Sequence, residues 1–280
     1  MSAFTLKNGQ LYAESVALSD IAARFGTPCY VYSRAALEAA LDEYLQELTG
    51  VDALVCFAVK ANANLAILDV FARLGAGFDL VSGGELKRVL AAGGNPKKVV
   101  FSGVGKSSEE MRLALEHNIF CFNVESAPEL ERLNEVASML SKKAPISLRV
   151  NPNVDPKTHP YISTGLKKNK FGVAYDDALS LYRHAVTLSN LEITGIDCHI
   201  GSQLLDPSPF AEALDRILIL VDQLAANDIR LHHIDLGGGL GIRYKDEQEP
   251  TVRSYLQPLL AKIKGRGLKI ILEPGRRLVG

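Results

Sequence analysis

The sequence has 280 residues, a formal net charge of −1 and a hydrophobic content of 47%, enough for one large α/β domain or two small ones. The near-neutral charge argues against a nucleic-acid-binding surface, because the one short basic cluster, Gly165 to Lys170, is too small to form one. No apolar run approaches the roughly 20 residues of a membrane helix, and the N-terminus lacks the pattern of a signal peptide. We expect a cytoplasmic protein whose four cysteines are reduced thiols: Cys29, Cys56, Cys121 and Cys198.

Short apolar segments alternate with longer segments of helical periodicity along the chain. Residues 1–50 contain a strand-like segment (28–33) and a helix-like segment (34–49), and we expect them to precede the main domain at 51–280. Within that domain, every strand-like segment except the last is followed by a helical pattern. The predicted strands are 53–60, 77–81, 98–102, 119–124, 146–150, 193–200, 231–236 and 268–272.

Eight strands at regular spacing, seven of them followed by a helical pattern, predict a (β/α)8 barrel of the α/β class. A doubly wound open sheet is the alternative, and it is less favoured because no G-x-G-x-x-G motif follows the first strand. Several helical patterns begin at Ser or Asp, and both Ser107 to Glu110 and Ser126 to Glu129 have capping-box spacing. The sequence stops directly after strand eight, so we expect the eighth helix to be missing and an apolar flank of the barrel to be uncovered.

Lys60 ends the apolar run LVCFAVK, which reads as a strand buried on both faces. It is either a solvated strand end or a buried amine with a function. In a barrel, catalytic residues lie at the carboxyl ends of the strands, and polar residues occupy at least six of these ends. Each alone has an ordinary structural explanation, but their coincidence at one rim favours a site. They are Lys60, Asp79, Ser82 to Glu85, Arg149, Asn151, His199 to Ser202, Asp235, Gly237 to Gly239 and Glu273 to Arg276.

The loops after strands seven and eight predict a phosphate site. Gly237 to Gly239 let backbone N–H groups approach an anion closely, because no Cβ intervenes. Gly275 and Arg276 add further N–H groups and a guanidinium, and Ser202 adds a hydroxyl.

A phosphate site facing a strand-end lysine indicates pyridoxal 5′-phosphate. This cofactor forms a Schiff base with a lysine and requires a charged partner for its ring nitrogen. Glu273 is the candidate for that partner, and His199 is a candidate to stack on the ring. Partial desolvation would lower the pKa of the Lys60 amine and make it a better nucleophile.

Six segments together resemble the diaminopimelate decarboxylases, which are fold-type III pyridoxal-phosphate enzymes related to ornithine and arginine decarboxylases. The resemblance extends from about Gly26 to Gly280 and implies a barrel of the alanine racemase/ornithine decarboxylase type, with the C-terminal β domain absent from this chain. Gln203, at the end of CHIGSQ, resembles the diaminopimelate branch, because the ornithine branch usually has a different residue at this position. The segments are FAVKAN, FDLVSGGEL, HPYISTGLKKNKFGV, CHIGSQ, DLGGGLGI and EPGR.

The resemblance implies decarboxylation of meso-2,6-diaminopimelate to L-lysine and CO2, the last step of lysine biosynthesis. It makes Lys60 the Schiff-base lysine, places His199 on the cofactor ring and puts Glu273 at the pyridine nitrogen. Asp79 and Arg149 would lie beside the lysine and the ring hydroxyl. The phosphate ligands that it implies are Ser202, Gly238, Gly239, Gly275 and Arg276, with Arg276 also near the distal carboxylate of the substrate.

The chain departs from this family in one respect. Family members continue into a β domain with a catalytic cysteine in a C-E-S type motif, and their site borrows residues from a partner subunit. We therefore expect a homodimer for the full-length protein, and a chain that binds the cofactor but lacks full activity. A related decarboxylase of ornithine, arginine or lysine, and a non-catalytic cofactor-binding protein, are the alternatives. Lys60 and Glu273 argue against the second. We expect no metal.

Overall fold

The computed structural model describes residues 3–155 and 171–280, so most of HPYISTGLKKNKFGV and the basic cluster lie outside the described residues. The chain begins with a small antiparallel sheet and two helices. The strand predicted over 28–33 is wrong, because this segment forms no ladder with any described strand and Tyr30 is 92% exposed. The first elements are β1 (Phe4–Lys7), β2 (Gln10–Ala13), β3 (Val16–Ala17), α1 (Leu18–Phe25) and α2 (Arg34–Glu47).

Eight parallel strands within the described residues then close into a barrel, which confirms the predicted fold. Each of the eight predicted strands is present with slightly different ends, and a short strand, β9, is added at the rim beside β8. Closure follows from the pairing of β8 with β10 and of β12 with β4. The strands are β4 (Ala53–Ala58), β5 (Gly77–Leu80), β6 (Val99–Phe101), β7 (Cys121–Val124), β8 (Ala144–Asn151), β9 (Val173–Ala174), β10 (Leu191–Asp197), β11 (His233–Asp235) and β12 (Lys269–Leu272).

Helices surround the barrel, and several begin where the sequence predicts a cap. The hydroxyls of Ser107 and Ser126 each accept a hydrogen bond from the third backbone N–H of the helix that follows, which satisfies a donor that would otherwise lack a partner. The full capping box forms at Ser107 with Glu110. No helix of the described chain is both long and apolar enough to span a bilayer. The helices are α3 (Leu65–Arg73), α4 (Gly83–Ala91), α5 (Ser108–Glu116), α6 (Ala127–Met139), α7 (Tyr175–Thr187), α8 (Ser208–Ala225), α9 (Val252–Ile263) and α10 (Arg276–Val279).

Helix α2 packs on the flank where the eighth barrel helix was expected. It contacts α3, α9 and the short α10 and buries Leu37, Leu41 and Tyr44. Arg277 of α10 forms an ion pair with Glu43 of α2 at 3.2 Å. The expectation of an uncovered flank is therefore wrong, because an N-terminal helix covers it.

Alternation along the strands sorts side chains between the barrel interior and the surrounding helices. On β7, Phe122 and Val124 belong to the large core beneath the helices, whereas Cys121 belongs to a small interior cluster. Asn123 shares the interior face and donates a hydrogen bond to Asp235 at 3.4 Å. The interior is thus apolar towards the amino ends of the strands and polar towards their carboxyl ends.

Candidate active site

A cavity of about 470 Å³ lies at the carboxyl ends of β4, β10, β11 and β12. Its walls come mainly from the loops after these strands, so residues far apart in sequence meet there. Eight of the ten candidate site residues line it, and the other two, Asp79 and Arg149, lie next to it in the barrel interior. The eight are Lys60, His199, Ser202, Gly238, Gly239, Glu273, Gly275 and Arg276.

Lys60 lies in a turn of 3₁₀ helix directly after β4 and points into the cavity. Its Nζ donates to Oδ2 of Asp79 at 2.7 Å, and the Lys60 side chain is 52% exposed while that of Asp79 is fully buried. Burial alone would lower the pKa of the amine, but the charge and the hydrogen bond of Asp79 oppose burial, and the pKa lies above its ordinary value. The expected lowering of the Lys60 pKa is therefore wrong for the protein without cofactor.

Arg149 crosses the barrel interior from β8 between two acidic groups. Its Nη1 donates to Oε1 of Glu125 at 3.3 Å, and its Nε lies 3.9 Å from Oδ2 of Asp197. Glu125 also accepts hydrogen bonds from the backbone N–H groups of Gly103 and Gly172 at 3.0 and 3.1 Å. These contacts fix the guanidinium below the cavity rather than in its wall.

Glu273 ends β12 beside two other buried carboxyl groups, those of Asp197 and Asp235. One oxygen of each lies within 4.8 Å of the others. Burial raises the pKa of Glu273 well above its ordinary value, and the charges of Asp235 and Asp79 raise it further. Its Oε1 is buried and has no hydrogen-bond partner among the described residues. Such an atom marks a place for a polar group that the protein chain does not supply.

The glycine turn after β11 is shaped by close backbone approaches. A Cβ at Gly238 would overlap the carbonyl oxygen of Glu273, and a Cβ at Gly239 would overlap that of Gly201. Gly239 also has a φ of 121°, which other residues rarely adopt. The turn is therefore restricted to glycine, and its backbone lines the cavity without side chains.

His199 is neutral in this site. Burial lowers its pKa well below the ordinary value, and the positive charges of Arg149 and Lys60 lower it further. Its Nδ1 accepts a hydrogen bond from the backbone N–H of Gly238 at 3.3 Å, so the ring proton is assigned to Nε2.

Arg276 begins α10 at the mouth of the cavity. Its Nη1 donates to the hydroxyl of Tyr244 at 2.8 Å and lies 3.5 Å from Oε1 of Gln203. Gln203 in turn holds the backbone of Ile242 through its side-chain amide. Two polar side chains thus orient the guanidinium, and Tyr244 is 62% exposed beside it.

Sequence reasoning missed three residues of the site: Glu125, Asp197 and Tyr244. Asp197 could have been found, because it lies two residues before His199 in the predicted strand 193–200, where alternation places both on one face. Glu125 directly follows β7 and so lies at a strand end, where the functional residues of a barrel are expected. Tyr244 lies in an irregular loop, where no periodic pattern identifies it.

Comparisons with known proteins agree with this geometry. The model of the family "Pyridoxal-dependent decarboxylase, pyridoxal binding domain" matches residues 34–280. The chain belongs to this family. A diaminopimelate decarboxylase of Pseudomonas aeruginosa is 60% identical over 100% of this chain and 67% of its own length. One from Neisseria meningitidis serogroup A is 59% identical over 96% of this chain and 66% of its own length. This pyridoxal-dependent decarboxylase therefore spans about two thirds of the curated relatives that it matches.

Solved structures show the same likeness. Diaminopimelate decarboxylase from Helicobacter pylori, complexed with L-lysine, has a TM-score of 0.91 and 44% identity over 93% of this chain and 66% of that chain. The enzyme from M. jannaschii, also in complex with L-lysine, has a TM-score of 0.92 and 40% identity over 100% of this chain and 68% of that chain.

The residues present fit pyridoxal phosphate, the cofactor of this family. The unpartnered Oε1 of Glu273 leaves a polar position for a ring nitrogen, and the glycine turn brings its backbone to the cavity without intervening side chains. Within this turn, the N–H groups of Gly237 and Gly238 already donate to Asp235 and His199. Lys60 places an amine in the cavity, which is the group that an aldehyde cofactor requires. The three features face one cavity whose volume is sufficient for a small cofactor.

Proposed function

We propose that this chain is the cofactor-binding barrel of a diaminopimelate decarboxylase, which releases CO2 from meso-2,6-diaminopimelate and yields L-lysine in the last step of lysine biosynthesis. The observation that carries the proposal is the convergence of Lys60, Glu273 and the glycine turn on one cavity. Relatives with this name at 60% and 59% identity support the choice of substrate.

The cofactor would be held at three places. Gly239 and Gly275 would contact the phosphate through backbone N–H groups, and Gly238, whose N–H donates to His199 without the cofactor, would lie beside it. Ser202 and Arg276 would supply a hydroxyl and a positive charge. Glu273 would bind the ring nitrogen, and His199, which is neutral, would pack on the ring face without repelling a positive ring. Asp79 and Arg149 would act from the barrel interior, Asp79 on the Lys60 amine and Arg149 near the ring hydroxyl.

When bound, pyridoxal phosphate supplies an electron sink for the pair of electrons that departing CO2 leaves behind. The protein must therefore present a neutral amine and keep a proton near the ring nitrogen. Lys60 is ionised without the cofactor, and Oδ2 of Asp79 at 2.7 Å is the proton acceptor in direct contact with its Nζ. Glu273 is the acid or carboxylate that faces the ring nitrogen.

Arg276 would bind the distal carboxylate of the substrate. Its guanidinium at the cavity mouth is held by Tyr244 and Gln203, neither of which carries a charge that would neutralise it. A carboxylate therefore forms the stronger, charge-assisted contact there.

We also propose that residues 51–280 form the cofactor-binding unit, with residues 1–50 as a preceding segment whose helix α2 packs on the barrel. The full-length protein would act as a homodimer. This chain alone would bind the cofactor and turn over substrate poorly, since it spans about two thirds of its relatives.

The test is covalent trapping of the cofactor. The protein is mixed with pyridoxal phosphate, reduced with borohydride and analysed by peptide mapping. We expect the label on Lys60 and its loss in Lys60→Arg. Lys106, a lysine paired with Glu129 and fully buried outside the cavity, is the internal control and should stay unlabelled. A label on any other lysine contradicts the assignment.

A further inference from the structure

Beneath the cavity lies a cluster of buried carboxyl groups that the proposed reaction uses only in part. Asp79, Asp197, Asp235 and Glu273 come from β5, β10, β11 and the end of β12, and each is at most 6% exposed. One oxygen each of Asp197, Asp235 and Glu273 lies within 4.8 Å of the other two. Repulsion between charges this close in a buried site prevents all three from being ionised at neutral pH.

The cations nearby do not neutralise the cluster. Lys60 contacts Asp79 at 2.7 Å, and Arg149 divides its charge between Asp197 and Glu125. His199, on the loop after β10, adds no charge because burial keeps its pKa well below the ordinary value. The carboxyl groups around Glu273 thus outnumber the positive charges that face them.

Local contacts decide which carboxyl group retains a proton. Oδ1 of Asp235 accepts from the backbone N–H of Gly237 at 2.9 Å, and its Oδ2 accepts from the amide of Asn123 at 3.4 Å. Asp197 lies beside the guanidinium of Arg149. Both arrangements stabilise the ionised form. Asp197 and Glu273 each have one oxygen without a hydrogen-bond partner among the described residues, but of the two it is Asp197 that faces a guanidinium, so Glu273 is the group least able to hold a negative charge.

The pKa shifts of Asp235 and Glu273 agree that Glu273 retains its proton more firmly than Asp235 does. Burial raises the pKa of Asp235 to about 6, and its hydrogen bonds limit the rise. Burial and the charge of Asp235 raise the pKa of Glu273 well above its ordinary range. Burial and the charge of Asp235 also raise the pKa of Asp197, which Arg149 opposes.

We propose that Asp235 is a positioning residue that keeps Glu273 in its protonated, neutral form until the cofactor binds. The use of that proton rests on the proposed function. A neutral Glu273 presents an O–H to the ring nitrogen. Glu273 would give up this proton when it faces a bound ring nitrogen and would then remain as the carboxylate partner of a positive ring.

Asp235 is also connected through backbone hydrogen bonds to both the glycine turn and Glu273. It holds the N–H of Gly237, the first residue of the glycine turn, and the carbonyl oxygen of Gly237 accepts from the backbone N–H of Glu273 at 2.7 Å. One buried side chain therefore influences both the phosphate turn and the ring partner.

The experiment uses the cofactor-free protein and infrared spectroscopy. A protonated carboxyl group has a carbonyl band that disappears on ionisation, and ¹³C-labelled glutamate separates glutamate bands from aspartate bands without mutation. We expect a glutamate band at neutral pH that Glu273→Gln abolishes. Glu129→Gln is the matched control, because Glu129 is another buried glutamate with a raised pKa, and it should leave that band in place.

The variant Asp235→Asn tests the role of Asp235. Removing its charge should lower the pH midpoint of the Glu273 band by about 1–2 units. An unchanged midpoint, or a wild-type spectrum in which only aspartate is protonated at neutral pH, would overturn the proposal. The isotope-labelled wild type decides the protonation of Glu273 even if Asp235→Asn does not fold.

Borohydride trapping on Lys60 separates the two proposals. If Lys60 is labelled but the Glu273 band is absent, the proposal that Glu273 is protonated is contradicted and the cofactor assignment stands. If the Glu273 band is present but Lys60 is not labelled, the protonation of Glu273 is supported and the cofactor assignment is contradicted.

Discussion

The pair formed by Lys60 and Asp79 shows what a single residue can contribute at the cavity. The sequence predicted a lysine at this rim because an apolar strand ends in one. It did not predict the charge state, which depends chiefly on the carboxylate of Asp79 from β5. Asp79 raises the pKa of Lys60 against the effect of burial, so the amine must lose a proton before it reacts.

Substitution of Asp79 should change the pH dependence of cofactor trapping. Asp79→Asn removes the charge that does most to raise the pKa of Lys60, so that pKa falls. The pH midpoint of labelling at Lys60 should move down by about 1–2 units. Asp69→Asn, which alters an exposed carboxylate paired with Arg73, is the control and should leave the midpoint in place. Equal midpoints in Asp79→Asn and wild type would show that Asp79 does not set the charge of Lys60.

Substitution of Glu273 should separate binding from catalysis. Glu273→Gln keeps the shape of the side chain but removes the acid that faces the ring nitrogen. In the full-length enzyme, cofactor affinity should stay within a few-fold, because phosphate contacts supply most of it, while turnover falls about 100-fold or more. Affinity is measured by cofactor titration and turnover by CO2 release. Turnover within a few-fold of wild type would exclude Glu273 as the ring partner.

The buried Asp235 should make the stability of the cofactor-free protein depend on pH. Its folded-state pKa of about 6 lies above the unfolded value of about 4, so the folded state binds the proton more tightly. The stabilisation of the folded state by this proton is fully present below about pH 4 and is lost as pH rises through about 6. Asp235→Asn lacks this stabilisation. The melting temperature of the variant minus that of wild type should therefore increase by about 3 °C or more between pH 5 and pH 7. A constant difference across this range would contradict the prediction.

At the scale of elements, all eight barrel strands were predictable and the position of helix α2 was not. Strands buried on both faces give continuous apolar runs, which the sequence shows directly. The helical periodicity of the sequence predicts a helix over 34–49, but no local pattern indicates the surface on which this helix packs. Its apolar residues fill the space between α9 and α3, a contact between the two ends of the chain. The strand expected over 28–33 failed for the same reason, since a strand requires a partner that local sequence does not reveal.

Packing of α2 is testable by truncating one buried side chain. Leu41 is fully buried in α2, whereas Leu45, one helical turn later, is 42% exposed. Leu41→Ala should lower the free energy of unfolding by about 2–5 kcal/mol, because it removes buried methyl groups and leaves a cavity. Leu45→Ala should cost less than about 1 kcal/mol. Urea unfolding measures both, and equal losses would mean that α2 does not pack on the barrel as described.

At the scale of the whole molecule, the barrel supplies the cofactor site more completely than it supplies the substrate site. Lys60, Glu273 and the glycine turn all come from strand ends of this chain, which is why sequence alone could place them at one rim. On the side proposed for the substrate, the described residues supply Arg276 with its supporting Tyr244 and Gln203.

This asymmetry predicts cofactor binding without efficient turnover in the chain of 280 residues. Decarboxylation requires the substrate to be oriented by groups from several directions, and here its far end would be held by Arg276 at an open cavity mouth. Water that enters weakens each electrostatic contact. Purified 1–280 should therefore trap the cofactor on Lys60 as fully as the full-length protein does, while releasing CO2 from meso-diaminopimelate at least about 100-fold more slowly. Because α2 covers the barrel flank, the chain should remain folded in this assay, and a melting curve checks that it does. Turnover equal to that of the full-length protein would show that the barrel alone orients the substrate.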